Sequence, residues 1–199
     1  MKRVLAVLIV MSVCICGCQP KTTNIDTRND TGKPVLGLDY RDFDQAAAEM
    51  IQSLITSNTL QKPGGGRYVV ATGRVVNDTM QRIDTIQLMS KVERELTRSG
   101  LVVMTSAVGA DADQMVHETR ELRDAEEFDP NTVAAKGTLI APELSISGKI
   151  FQQNIKYDNN TQQVDYYFEL KLTDVKTGLR FWQDEKVIGK RGSKKLTSW

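Results

Sequence analysis

The C-terminal third of the chain is the feature that most constrains the fold. Over 144–151 and again over 164–173, apolar and polar side chains alternate, as in half-buried strands. Residues 157–160 (YDNN) predict a hairpin turn between these strands, and Thr177-Gly178 turns the chain into a last strand over 179–187. Three such segments predict an antiparallel meander, whose apolar face needs other elements to cover it.

The preceding segments supply helices for that purpose. Apolar residues at helical spacing predict one helix that begins after Asp42 or Asp44 and ends near residue 57, and a second over about 83–99. The predicted order is α-β-α-β-α-β-β-β, an α/β fold with a mixed sheet of four to five strands flanked by helices. Its first two strands are predicted at 68–76 and 101–104, and its third, polar helical stretch at about 111–124.

The N-terminus has the pattern of a bacterial lipoprotein signal. Two basic residues precede an apolar run over 4–13, and Gly17 stands directly before Cys18. The run is shorter than the roughly 20 residues of a membrane-spanning helix. We therefore expect a signal peptide over 1–17 and a mature chain that carries lipid, palmitate included, on Cys18. Cys16 is the weaker alternative, because Ile15 rather than a small residue precedes it.

Gln19 follows the cysteine at the position where an aspartate favours retention at the inner membrane. The lipoprotein sorting rule, applied by resemblance, then predicts an outer-membrane anchor with the protein facing the periplasm. Residues 18–34 form the expected flexible tether, since Ile25 is the one aliphatic residue over 19–34. Sixteen extended residues reach at most about 55 Å. The remaining stretch, 35–199, suits a single globular domain, which we expect to be monomeric.

Composition and motif content argue against nucleic-acid binding, metal binding and catalysis. Without Lys2 and Arg3 the chain has 24 basic and 25 acidic residues, so no basic excess exists to neutralise phosphates. His117 is the only histidine, which leaves a zinc site without its usual ligands and the serines without a base. The glycines of KPGGGR (62–67) join a helix to a strand, the reverse of a phosphate-binding loop. We expect no cofactor, no metal and no enzymatic activity.

Two regions are candidate recognition surfaces. The first is the six-residue loop expected after the first strand, although a simple strand-to-helix turn explains it equally well. The second is the aromatic-rich C-terminal hairpin, where alternation sends about half of the rings to each face. We predict one accessible surface formed by Asn77, Asp78, Thr79 and Arg82 with Tyr167 or Trp182.

The element order, VVNDT (75–79) and KLTDVKTGLRFW (171–182) together resemble the LpoB family of lipoprotein activators of penicillin-binding proteins. The resemblance implies a fold like the N-terminal domain of TolB and a role in peptidoglycan synthesis, cell wall biogenesis and cell shape. It further implies docking on a small accessory domain of a bifunctional penicillin-binding protein, whose glycosyltransferase and transpeptidase activities are stimulated. Well-known members have a long proline-rich tether, whereas this one is short and has Pro20 and Pro34.

Two alternatives rank below this interpretation. A lipoprotein component of an outer-membrane secretion or assembly machine, related to curli-type export, has a similar α/β core. It is expected to form rings and to carry amphipathic strands that insert in a barrel, and the sequence offers no such strand pair. An enzyme acting on peptidoglycan needs a placed acid and base, which the sequence also does not offer.

Overall fold

One mixed five-stranded sheet organises the chain. The structure is a computed structural model that describes residues 35–193 and 195, so the predicted signal peptide, Cys18 and the tether over 18–34 lie outside the described residues. The strands are β1 (Tyr68–Asp78), β2 (Val102–Met104), β3 (Leu144–Lys156), β4 (Thr161–Asp174) and β5 (Arg180–Ser193). The helices are α1 (Tyr40–Thr56), α2 (Thr85–Ser99) and α3 (Met115–Glu121), the last followed by a 3-10 turn, Leu122–Asp124.

The sheet order is β2-β1-β3-β4-β5. Strand β1 runs parallel to both of its neighbours, whereas β3, β4 and β5 pair antiparallel. The predicted α/β class, the element order and the C-terminal meander are therefore confirmed, with five strands in the sheet.

Local capping fixes where the two long helices begin. Asp39 accepts hydrogen bonds from the backbone N–H groups of Arg41 and Asp42, and the Asp42 carboxylate accepts in turn from the N–H of Asp39. The expectation that Asp42 or Asp44 caps α1 is wrong, because the helix begins earlier and places Asp42 at the third position of this capping box. Asp84 caps α2, which ends at Gly100 in the left-handed conformation (φ 69°).

The hydrophobic core lies between α1, α2 and one face of the sheet. Alternate residues of β4, including Tyr166 and Phe168, are fully buried on that face. Phe43 of α1 meets Phe168 edge-to-face, with ring centroids 5.7 Å apart. Burial of one such large side chain contributes about 1.5–3 kcal/mol, so this face holds the helices in place.

Strands β3 and β5 extend further than the side-chain pattern predicts. The sequence QQNIK over 152–156 carries little alternation, yet it remains paired with β4 as far as Lys156. Backbone hydrogen bonds of an antiparallel ladder do not depend on side-chain polarity, which explains the difference. The polar helical stretch is shorter than predicted, because α3 covers only 115–121 and buries no side chain.

Strand β5 is an edge strand with charges on its helix-facing side. Lys186 pairs with Glu49 of α1, and the Nζ of Lys190 lies 2.5 Å from Oδ2 of Asp42, also in α1. Charged residues that point inward from an edge strand disfavour the pairing of further strands. These ion pairs also fasten α1 to the far edge of the sheet.

Candidate functional site

The sheet face opposite α1 and α2 is open across β3, β4 and β5, since no helix of the described chain packs on it. Four side chains lie in register across this face, one on each of four strands. Asp78 of β1 is opposite Phe151, Phe151 is opposite Tyr167, and Tyr167 is opposite Val187. We call this row, together with Lys149, the aromatic face.

Two stacked rings form its centre. The centroids of Phe151 and Tyr167 are 4.6 Å apart and the ring planes differ by 2°. Both side chains are half-buried, and the Tyr167 hydroxyl reaches towards Gln153 at 3.4 Å. Val187, at the end of the row, is 45% exposed. A rigid aromatic pair beside exposed apolar surface is the composition of an interface core.

A charged pair borders the rings on the β1 side. The Nζ of Lys149 lies 2.6 Å from Asp78 Oδ2 and 5.3 Å from the centre of the Phe151 ring. Both charged side chains are well exposed, so the ion pair contributes at most about 1 kcal/mol to stability. Its effect is to hold the Lys149 ammonium over the Phe151 ring and to leave polar groups at the rim.

The loop after β1 is fixed by its own polar side chains. The Asn77 side-chain oxygen Oδ1 accepts from the Thr79 N–H at 3.1 Å and lies 2.7 Å from the Thr79 hydroxyl oxygen. The Asn77 amide and the Thr79 hydroxyl both donate to the Gln81 backbone oxygen, at 2.9 Å each. Gln152 on β3 accepts from the Met80 N–H at 2.9 Å. These bonds give residues 77–82 one defined shape.

The predicted site residues are brought together only in part. Asn77 and Asp78 at the start of the 77–82 loop are also the last two residues of β1, so their side chains leave the strand on opposite faces. Arg82 is exposed and makes no ion pair within the described chain. Tyr167 shares the row with Asp78, whereas Trp182 is only 9% exposed and lies opposite Leu172 in the core. The prediction that Trp182 could face outward is therefore wrong.

Gln81 links the 77–82 loop to the start of the domain. Its side-chain amide donates to the Leu38 backbone oxygen and its side-chain oxygen accepts from the Leu38 N–H, both at 2.9 Å. Lys190 donates to the Gly37 oxygen at 2.9 Å, and Leu36 packs against Gly192. The chain therefore enters the domain beside the candidate site. Local sequence pattern does not single out Gln81, because its partners are 43 residues away.

Ionisable groups behind this segment have shifted pKa values. Hydrogen bonds from Arg41, together with the nearby Lys190 ammonium, hold the pKa of the Asp39 carboxyl below its usual range. Burial, and secondarily the charge of Asp42, raises the pKa of Tyr166 to about 12. Both groups support the fold behind the sheet and neither lies on the aromatic face.

The described residues do not offer a metal site. Within 35–193 and residue 195, no three His, Cys, Asp or Glu side chains are placed to share a metal ion. Among those residues, no helix combines the length and apolarity needed to cross a membrane. The described surface around Asp78 and Tyr167 is a partly apolar face of the sheet.

Solved structures with a similar arrangement include two LpoB domains. The C-terminal domain of LpoB from Salmonella enterica has a TM-score of 0.42 and 14% identity, and the match covers 74% of this chain and 98% of that chain. The same domain from Escherichia coli has a TM-score of 0.42 and 11% identity, and the match covers 75% of this chain and 99% of that chain. The lipoprotein GNA1162 from Neisseria meningitidis has a TM-score of 0.37 and 10% identity, and the match covers 64% of this chain and 85% of that chain.

Among functionally curated proteins, none matches this sequence. The sequence profile of a family does: that of the peptidoglycan-synthase activator LpoB matches residues 42–188. The matched range includes β1 to β4, nearly all of α1 and most of β5. The chain therefore belongs to the LpoB family of peptidoglycan-synthase activators.

Proposed function

We propose that this protein binds a bifunctional penicillin-binding protein through the aromatic face and the adjoining 77–82 loop, and thereby stimulates peptidoglycan synthesis. The observation that supports the proposal most is the family match, because residues 42–188 include every residue of that surface. The protein acts as a regulator in this account, with no catalytic residue of its own.

The physical character of the surface agrees with docking to a protein. The Phe151–Tyr167 pair is already stacked, so its burial in a complex costs little conformational entropy. Val187, which is 45% exposed, adds apolar area at the end of the row. Asp78 and Lys149 provide a polar rim, and Arg82 adds an exposed positive charge in the loop that follows Asp78. Aromatic anchors inside a charged rim are the usual distribution of binding energy at such interfaces.

We further propose that lipid on Cys18 anchors the chain to the outer membrane and that the domain faces the periplasm as a monomer. The tether over 18–34 then limits the partner's location, because its sixteen residues after Cys18 span at most about 55 Å. The reach from the membrane is the tether length plus the width of this protein's own domain. The partner's docking domain must lie within that reach.

An affinity capture tests the proposal. The full chain, purified in detergent and immobilised, is exposed to a detergent extract of its own membranes, and bound proteins are identified by mass spectrometry. The expected result is recovery of a bifunctional penicillin-binding protein, and loss of that protein when Tyr167 is replaced by alanine. Recovery of secretion components, or of rings of the chain itself, would instead favour the outer-membrane assembly alternative.

A further inference from the structure

A second surface, at the other edge of the sheet, has the properties of a peptide-binding groove. A cavity of about 340 Å³ opens beside β2 and the start of β1. It is lined by Val69 and Val103 of the sheet, by Val116 of α3, and by Leu139 and Ile140. Its volume falls within the range of roughly 300–1,000 Å³ that is typical of ligand pockets. We call this cavity the β2 groove.

The groove exposes apolar side chains that the fold itself does not bury. Val103, Leu139 and Ile140 are 40%, 41% and 69% exposed. Leu139 and Ile140 belong to a connection, 105–143, in which only Ala107 is buried, and Val103 lies just before it. Arg120 links α3 to the segment before Leu139, since it donates to the Val116 backbone oxygen and to Thr138 Oγ1. Hydrogen bonds therefore fix the shape of the groove, and exposed apolar side chains line it.

The neighbouring strand edge can accept an extended segment. Strand β2 is at the end of the sheet. The Thr105 N–H donates to the Val70 oxygen of β1 at 2.9 Å, so Val103, two residues earlier, also directs its backbone groups towards β1. The N–H and C=O groups of Val102 and Met104 consequently point away from the sheet. A segment that pairs with them would place alternate side chains on the face where the groove lies. In contrast to β5, the side chains of β2 carry no charge that opposes pairing.

Charge determines which segment fits. Between residues 105 and 143 the sequence has nine acidic and three basic residues. Two of the basic ones, Arg120 and Arg123, donate to groups of the same connection. Eight of the carboxylates are exposed and have no ion pair in the described chain: Asp111, Asp113, Glu118, Glu121, Asp124, Glu126, Glu127 and Asp129. The connection that supplies most of the groove's lining therefore carries nine negative and three positive charges, a net charge of −6.

We propose that the β2 groove binds an extended, basic segment of a partner protein, which adds to β2 as a strand and inserts apolar side chains into the cavity. Backbone pairing supplies affinity, the cavity selects apolar residues at alternate positions, and the acidic connection selects basic residues between them. This site is separate from the aromatic face, since it lies at the start of β1 whereas Asp78 lies at its end.

Fluorescence anisotropy with the full chain in detergent tests the proposal, using three labelled seven-residue peptides. The peptide KVKVKVK has both required properties, KSKSKSK lacks the apolar side chains, and EVEVEVE lacks the positive charge. We expect the first to bind at least tenfold more tightly than either control. Equal binding of the serine peptide, or no binding of the first, would overturn the proposal.

Variants locate the binding. The pair Leu139→Ser and Ile140→Ser removes exposed apolar groups, and the pair Glu118→Lys and Glu121→Lys reverses charge on α3. Each pair is expected to weaken KVKVKVK binding at least tenfold, whereas Tyr167→Ala should leave it unchanged. Unchanged binding by both pairs would place the peptide elsewhere and refute the proposal.

Hydrogen exchange provides a readout that does not depend on these variants. Bound peptide should slow exchange of the Val102 and Met104 amides, which point away from β1, and should leave the amides of β5 unaffected. Slowed exchange along β5 instead of β2 would contradict strand addition at the groove. Because Tyr167→Ala affects only the aromatic face, failure here and failure of the proposed function are distinguishable.

Discussion

Phe151 and Tyr167 stack face to face, with ring centroids 4.6 Å apart, across the β3–β4 pair on the side of the sheet that is open over β3, β4 and β5. A ring pair in such a position does little for the core, which lies on the other side. Because it is rigid and aligned with Asp78 and Val187, we propose it as the centre of the docking surface.

Replacement of Tyr167 by alanine tests that centre. Truncation of an aromatic anchor costs more than about 1–2 kcal/mol of binding, so affinity for the synthase should fall by roughly tenfold or more. The half-buried position predicts that the fold survives, as circular dichroism will check. Tyr167→Phe retains the stack and should bind normally, since the hydroxyl contact to Gln153 is long. Phe181→Ala, at an exposed ring near the start of β5, is the matched control.

Charge reversal at Arg82 tests the rim. Arg82→Glu should slow association with the synthase by about three- to tenfold, with an effect that shrinks as salt is added, because exposed rim charges act mainly on encounter. Surface plasmon resonance at two ionic strengths measures this. Arg67→Glu, at an exposed arginine before the opposite end of β1, should change the rate much less. Equal rates for the wild type and the Arg82 variant would remove the loop from the interface.

Trp182 and Tyr167 should separate stability from binding. Trp182 is buried opposite Leu172, so Trp182→Ala should lower the free energy of unfolding by about 3–5 kcal/mol. Tyr167→Ala should lower it by much less while it has the larger effect on binding. Urea unfolding of the two variants checks this order, and a small loss for Trp182 would contradict its assignment to the core.

The Gln81 clamp, formed by the two hydrogen bonds between Gln81 and Leu38, joins the 77–82 loop to the first residues of the domain. Gln81→Ala removes both bonds and should destabilise the domain by about 1–3 kcal/mol, since it leaves backbone groups of a half-buried segment without partners. Hydrogen exchange at the Leu38 amide should accelerate. The neighbouring Gln87→Ala, on the exposed side of α2, should leave that amide unchanged. If exchange at Leu38 does not respond, the clamp does not hold the segment.

Asp39 gives a pH-dependent test. Its folded pKa is lowered, so its charge stabilises the fold fully at neutral pH, and that contribution is lost as pH falls through the folded pKa. An asparagine at this position would cap α1 comparably without the charge. Asp39→Asn should therefore cost stability at pH 7, and the difference from wild type should shrink below about pH 4, the ordinary aspartate value. Urea unfolding of both proteins measures this difference between about pH 7 and about pH 3, a range that brackets the ordinary aspartate pKa of about 4. A difference that grows on acidification would contradict the assigned role.

Most of the fold could be predicted from local patterns, because helical spacing and strand alternation are consequences of which side chains the core buries. The site could not be predicted to the same degree. Between Thr72 and Val75, β1 contains an extra residue relative to β3, and this bulge changes the face on which later residues lie. Strict alternation from Val70 would put Asp78 towards the helices, whereas the bulge turns it to the aromatic face.

Other parts of the site depend on long-range register. Phe151 stands at the predicted end of its strand, and nothing local indicates that it would lie opposite Tyr167. The face chosen by Trp182 depends on an irregularity beside Leu172 in the pairing of β4 with β5. Start positions of helices are similarly ambiguous in an aspartate-rich segment, where Asp39 rather than Asp42 or Asp44 is the cap.

The central claim is that this chain activates a peptidoglycan synthase by direct contact through the aromatic face. The most direct measurement is the rate of glycan polymerisation by the purified bifunctional penicillin-binding protein of the same cell, with and without the full chain. The account predicts a saturable increase in rate that Tyr167→Ala reduces and Phe181→Ala does not. An unchanged rate at saturating protein, or an increase equally strong with the Tyr167 variant, would contradict it.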